Sequence, residues 1–214
     1  MVVAGAIDGM CFAKAFENKI MDKADKNGIQ DFFGTFTATL KHLLGLEGPD
    51  LQELFFSELK DIYWAEKELL NTLPRIAEKA TTNQLKQAIH KHVNETKGHV
   101  QRLEEVFALI GEKPQSKTCE AMQGLLDEAG EIIGETKDGT VLRDVGIILA
   151  AQKVEHYEIA TYGTLKALAQ VLGHEDAAEF LNLTLMEEKN ADDSLTKIAE
   201  GFVNLKAQEE SLKK

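Results

Sequence analysis

The sequence predicts an all-α fold, a bundle of four long antiparallel helices with an extra helix in the connection between the second and the third and a short amphipathic helix near the N-terminus. Three observations carry this. From Asp50 onward apolar residues recur at steps of three and four, the period of one helix face. No segment alternates with period two over a useful length, so strand content should be near zero. Only 3 prolines occur in 214 residues, which leaves room for long helices.

Residues 1–50 differ from the rest and are expected to form a partly flexible N-terminal extension. Gly5, Gly9, Gly28 and Gly34 interrupt them, and periodicity is weak up to Gly28. Phe33, Phe36, Leu40, Leu43 and Leu44 then fall at helical spacing, which predicts a short helix over 31–45, stopped by Gly45 and the Gly48-Pro49 pair. Its apolar face suits docking on the main domain or on a protein partner.

The bundle domain is expected over 51–210. Its first helix, over 51–79, opens after Asp50 as N-cap, with Glu53 as the capping-box partner. Leu51, Leu54, Ile62, Ala65, Leu69, Leu73 and Ile76 should face inward, and Pro74 should kink the turn before it. Thr81-Thr82-Asn83 turns the chain into a second helix over 83–110, with Leu85, Ile89, Leu103, Val106 and Leu109 or Ile110 inward. Gly111 ends it. A shorter helix over 117–135 carries Met122, Leu125, Leu126, Ala129 and Ile133, and three glycines lower its propensity. The third long helix runs over 140–172 and stops at Gly173. The fourth, over 175–206, rests on Phe180, Leu181, Leu185, Leu195, Ile198 and Phe202. Helices of about 28–33 residues are each roughly 42–50 Å long. Short turns make two antiparallel hairpins, and the connection between them is long enough to travel the length of the bundle. One long crossover between two hairpins is the ferritin-like topology.

Bulk properties narrow the function classes. Net charge is −12, and a surface that acidic repels phosphate backbones, which argues against nucleic-acid binding. On a helical protein such acidity ordinarily means solvated faces. Cys11 and Cys119 are too few for a disulfide framework and show no C-x-x-C spacing. The opening MVVAGAIDGM lacks a basic n-region and a long apolar h-region, so it does not read as a signal peptide. No apolar run approaches the roughly 20 residues of a membrane span. A cytoplasmic setting without membrane contact is expected.

Polar residues inside the apolar stripes need a reason, because a bundle buries that stripe. In the second helix the stripe reads Leu85, Ile89, His92, Glu95, His99, Leu103, Val106. In the fourth it reads Leu181, Leu185, Glu188, Asp192, Leu195. The first helix carries Glu66 between Ile62 and Leu69, and the third carries Glu155 between Ile148 and Ile159. Glu66 precedes Glu95 by 29 residues and Glu155 precedes Glu188 by 33, with His99 and Asp192 each one turn beyond. This weak repeat would set all six groups at one height. Carboxylates gathered in an apolar core repel unless protonated or neutralised by cations. Two divalent ions are the natural counter-charge, and carboxylate with imidazole suits iron or manganese. The expected ligands are Glu66, Glu95, His99, Glu155, Glu188 and Asp192. The usual Glu-x-x-His pattern of such sites is not kept, since the second helix offers Glu95-x-x-x-His99 and the reversed His92-x-x-Glu95. His92 or His99 is therefore the imidazole ligand. Asp61 is an alternative to Glu66, and His156 and Glu158 face solvent or a dimer partner as readily as the core. Tyr162 and Gln152 are candidates for hydrogen bonding behind the ligands. Cys119 and Met122 read as buried filler.

The stretches SELKDIYWAEKELL (57–70), HVNETKGHVQRLE (92–104), CEAMQGLLDEAGEII (119–133), AAQKVEHYEIATYGTL (150–165) and LTLMEEKNADDSL (183–195) resemble the YciE/YciF-like stress proteins of the ferritin-like superfamily. The resemblance covers 51–208 and implies a ferritin-like bundle, a homodimer, a two-metal centre and a link to bacterial general or osmotic stress. It implies no established reaction. By position it carries over the same six residues. Two functions compete: a metal-dependent redox protein that oxidises Fe(II) or consumes oxygen or peroxide, and a non-catalytic stress or scaffold protein docked through residues 31–45. Iron storage ranks last, because nothing in the sequence shows the contacts of a closed cage.

Overall fold

A computed structural model describes residues 49–213. Nearly all of the expected N-terminal extension over 1–50, with the helix over 31–45, lies outside the described residues. The described residues are all-helical: α1 Leu51–Lys79, α2 Asn83–Leu109, α3 Glu120–Glu135, α4 Val141–Val171 and α5 Glu175–Ile198, then a π-helical turn Ala199–Val203 and α6 Asn204–Ser211. Helical periodicity alone places these boundaries within a few residues. The widened turn after α5 and its continuation to Ser211 are not visible in that pattern.

Two helix stops, those of α2 and α4, follow from glycine. Gly111 and Gly173 adopt φ of 77° and 79°, a region open to glycine at little cost. Each then lets the chain fold back on the helix it ends. Gly173 N–H donates to Gln170 and His174 N–H to Ala169, and the Gly111 and Glu112 amides do the same to Ala108 and Phe107, which satisfies the last carbonyls of α4 and α2. The start of α2 is capped from afar. Thr82 makes no side-chain cap; instead the buried Asp144 of α4 accepts from Thr81 N–H at 2.6 Å and Thr82 N–H at 2.8 Å. One carboxylate thus ties the α1–α2 turn to the first turn of α4.

α1 packs on α2, α2 on α5, α5 on α4 and α4 on α1, so the four long helices close a circuit around a shared interior. The crossover helix α3 lies on α4 and α1, and the C-terminal π turn and α6 lie on α4. The apolar interior is filled by Phe55, Leu59, Ile62 and Leu69 of α1, Leu85, Leu103 and Phe107 of α2, Ile147 and Leu165 of α4 and Leu181 of α5. Phe56 and Tyr63 meet Phe107 edge-on, with centroids 6.0 and 5.6 Å apart. Two expected core positions are corrected. Leu51 and Leu54 are exposed, and Phe55 and Leu59 take the inward places. Leu54 is 80° out of phase with Ile62 at 100° per residue. Leu51 lies a turn beyond Phe55, the level at which His174 of the α4–α5 turn stacks. Pro74 sits inside an unbroken α1. Ile110, rather than the exposed Leu109, packs on the core.

α3 is anchored through its cap. Cys119 is buried, and its Sγ accepts from Met122 N–H at 3.2 Å. The thiol also lies 3.0 Å from the Tyr157 hydroxyl of α4, which donates to Asp61 of α1 at 2.9 Å. Burial pushes the Cys119 thiol up, so it stays protonated and its filler role extends to a small polar bracket across three helices.

Candidate metal centre

Each long helix brings ionisable side chains to the middle of its buried face. α1 contributes Glu66, α2 His92 and His99, α4 Glu155 and Glu158, and α5 Glu188, all of them buried. They form two groups with one member in common. Ligand-type atoms of His92, Glu155, Glu158 and Glu188 lie within 4.8 Å of one another, as do those of Glu66, His99 and Glu188. His99 Nδ1 is 2.8 Å from Glu188 Oε1 and 3.3 Å from Glu66 Oε1. His92 Nε2 is 3.5 Å from Glu155 Oε1 and 3.8 Å from Glu188 Oε2. Glu188 therefore turns one oxygen toward each histidine, and the two rings stand 6.1 Å apart between centroids.

The His99 group is held from outside. Tyr162, fully buried on α4, donates its hydroxyl to Glu66 Oε1. The far nitrogen of His99, Nε2, lies 3.0 Å from Glu187 Oε2, and Arg102 binds the same oxygen at 2.6 Å while bonding Thr184 Oγ1 at 2.7 Å. A carboxylate behind a ligating histidine fixes its tautomer and ring direction. Here Glu187 does so, and Arg102 fixes Glu187. The His92 group has no such backing. Its nearest outer neighbour is Glu95, 3.8 Å from His92 Nδ1, and Glu95 pairs with the exposed Lys91.

Electrostatics record the crowding. Burial raises Glu155 to about 8, His92 counteracts it and Glu188 adds to it. Glu158 is driven well above the carboxylate range by burial and then by Glu188, Glu66 and Glu155. Burial alone would lower both histidines, but the surrounding carboxylates prevail. Glu155, Glu95 and Glu188 lift His92 to about 9, and Glu66 and Glu188 lift His99 to about 11. Burial acts to raise Glu188, and His99 and His92 overcome it and hold it below its ordinary value. The His92 imidazole beside it, then Lys91, lowers Glu95 to about 2 against partial burial.

Hydrogen bonding leaves this cluster incomplete. Glu66 Oε2, Glu155 Oε2, both oxygens of Glu158 and Glu188 Oε2 are buried without a hydrogen-bond partner, and Glu188 Oε1 meets only the His99 imidazole. Buried carboxylate oxygens without partners are costly, and so many in one place call for counter-charge. Oxygen and imidazole nitrogen donors at this spacing suit divalent first-row cations.

Among the residues expected as ligands, Glu66, His99, Glu155 and Glu188 come together. Glu95 and Asp192 do not join either group; their side chains are 20% and 23% exposed. Glu95 lies 60° around α2 from His92, and the buried Thr96 fills the inward place beside it. Asp192 is drawn to Gln152, which donates to it at 3.2 Å, and to His156 at 3.4 Å. Both histidines of α2 reach the centre. Glu158 also belongs to it, whereas His156 is exposed. The signal for Glu158 is the run Glu158, Tyr162, Leu165, Ala169, at steps of four, three and four.

Comparison with known proteins agrees with the helical architecture. The chain is 44% identical over 159 residues to the protein YciF of Escherichia coli strain K12, covering 74% of this chain and 95% of that one. The crystal structure of the E. coli stress protein YciF superimposes with a TM-score of 0.70 at 42% identity, over 73% of this chain and 99% of that one. YcfI of Rhodopseudomonas palustris gives 0.67 at 44% identity, over 69% and 94%. A protein of Xanthomonas campestris pv. campestris shares the fold at 20% identity, with a TM-score of 0.59 over 76% and 99%. Residues 50–208 match the family described as a domain of unknown function, DUF892, and the chain belongs to that family of YciF-like proteins.

Proposed function

We propose that this is a ferritin-like four-helix bundle protein of the stress response that holds two divalent cations, iron or manganese, between its long helices. The observation that carries the reading is Glu188, shared by two histidine–carboxylate groups in which most carboxylate oxygens lack a hydrogen-bond partner. Glu66, Glu155, Glu158 and Glu188 bear four negative charges when ionised, which two divalent cations balance. Glu66, His99 and Glu188 would hold one ion; His92, Glu155, Glu158 and Glu188 would hold the other. Glu95 and Asp192 stand at the edge, where Glu95 lies 3.8 Å from His92 Nδ1 and Asp192 engages Gln152. Iron or manganese in this place supplies one-electron chemistry toward dioxygen or peroxide.

The chain's own groups prepare the site. Tyr162 orients Glu66, and Glu187 orients His99. Without cations, burial keeps Glu155 and Glu158 protonated, so cation binding displaces protons and strengthens as pH rises. Leu69 and Val154 beside Glu155, and Leu195 beside His92, line the adjoining voids with hydrocarbon.

The alternative, a metal-free hydrogen-bonded core in a scaffold protein, is disfavoured by the five buried carboxylate oxygens left without a partner. The proposed organisation is a bundle domain over 51–210 behind an N-terminal extension over 1–50 that docks a partner. A compact unit beginning at Leu51 and a family match beginning at residue 50 support that division. No helix among the described residues is long and apolar enough to cross a membrane, in keeping with a cytoplasmic protein. The exposed Leu142 and Leu149 on α4 and Leu183 and Met186 on α5 offer apolar surface for a homodimer.

Anaerobic titration with Fe(II) or Mn(II), followed by elemental analysis, should give about two ions per chain. Admission of oxygen to the Fe(II) form should then raise a near-ultraviolet ferric absorbance. Absence of both metals after loading would overturn the reading.

A further inference from the structure

The two groups of the centre differ in what lies beyond them. Behind His99 is a packed wall of Tyr162, Glu187 and Arg102. Beside His92 and Glu155 is a cavity of about 110 Å³, lined by α1, α2, α4 and α5 and partly open at one side. Alanines from three helices, Ala88, Ala151 and Ala191, make the space that larger side chains would fill, and Leu195 completes its apolar wall. A second, smaller void of about 30 Å³ runs under α3 and shares Ala151 and Glu155 with the first.

The inner polar boundary of the cavity is His92 and Glu155, 7% and 3% exposed, with Nδ1 of one and Oε2 of the other lacking a hydrogen-bond partner. The outer boundary is polar: Ser194 and the Lys91–Glu95 pair line the side nearer the surface. A space with apolar walls, buried unpartnered groups at its floor and a polar rim has the construction of a ligand pocket rather than of a packing defect. Its size fits xenon or a molecule up to roughly that of benzene, since an apolar cavity of about 150 Å³ takes either. A charged ligand would lose its hydration against these walls.

We propose that this cavity binds a small uncharged apolar molecule and presents it to the His92–Glu155 edge of the centre. That the molecule is the substrate of the centre rests on the two-metal reading; that the cavity takes such a molecule does not.

Xenon is the probe. Crystals of the full chain, metal-free and Mn(II)-loaded, would be pressurised with xenon, and Ala151→Leu, which puts three more carbons into the space common to both voids, would be treated alike. A xenon peak between Ala88, Ala151 and Ala191 in the wild type, absent in Ala151→Leu, is the expected result. Should Ala151→Leu fail to fold, Ala191→Leu fills the same space from α5. No xenon in the wild type, or xenon persisting in the filled variant, overturns the proposal. In the Fe(II) form, the filled variant should keep its metal stoichiometry and lose at least tenfold in the rate of oxidation by dissolved oxygen. An unchanged rate at unchanged stoichiometry overturns the substrate assignment. Xenon bound in a protein that takes up no metal upholds the cavity and removes the two-metal reading.

Discussion

The His99 end and the His92 end of the buried cluster use the same residue types and behave as opposites. At the His99 end two of the three ligand-type side chains have an outer partner, Tyr162 for Glu66 and Glu187 with Arg102 for His99. At the His92 end the partners are few, and a cavity replaces the packed wall. Fixed donors favour a permanently held ion, because the ordering cost is met on folding. Donors that border open space favour exchange and access. The difference shows that what surrounds a carboxylate decides its task as much as its place on a helix does.

The largest effect should come from the residue common to both ends. Glu188→Gln should abolish stoichiometric loading at both positions, read by elemental analysis, with loss of affinity beyond the 10–100-fold typical of an outer partner. Retention of one full equivalent would mean that the ends are independent. A broad effect should follow pH in the metal-free protein. Glu155, His92 and His99 have folded values near 8, 9 and 11 against ordinary values of 4.5, 6.5 and 6.5. Each raised group binds its proton more tightly when folded, so its stabilisation is complete below the ordinary value and is lost as pH rises through the folded one. The metal-free melting temperature should therefore fall from about pH 5 to about pH 11, and Mn(II) should flatten or reverse that slope. A flat metal-free profile would contradict the buried, crowded state of these groups.

Glu187→Gln should be narrower. It leaves the His92 end intact and weakens cation binding at the His99 end by roughly 10–100-fold, resolved as two separated steps in a titration. Equal weakening of both steps would erase the distinction drawn here. Lys91→Ala should do least. The Lys91 side chain is 63% exposed, and its pair with Glu95 is worth under about 1 kcal/mol, so thermal stability and metal content should stay near wild type.

The helices were legible because their periodicity is long and two of them, α2 and α4, stop at glycines with a physical reason to be there. Within the site, the stripe on α2 located both His92 and His99, since each lies within 20° of the other around the helix. Glu95, read in the same stripe, sits on the flank beside Lys91. α4 was harder to read. It is buried against α1, α3 and α5, so its apolar positions spread around most of the helix and a single carboxylate does not set the phase. Glu158 becomes inward only when Tyr162, Leu165 and Ala169 define the face. The pairings through Arg102, Glu187 and Thr184 join residues 82 and 85 positions apart and leave no periodic trace.

The π-helical turn at Ala199–Val203 has a consequence for how the gene encoding this chain tolerates editing. An unbroken α-helix beyond Leu195 would bring positions 202 and 206 to the interior, yet Val203 and Ala207 are the buried ones. The wide turn stores one surplus residue in the helical count. Excising Gly201 would renumber Val203 and Ala207 into the places that ordinary winding demands, so the tail would keep its seat on α4. A one-codon deletion in α5 before Leu195 would instead rotate the residues that follow it by 100° and turn Leu195 away from the interior.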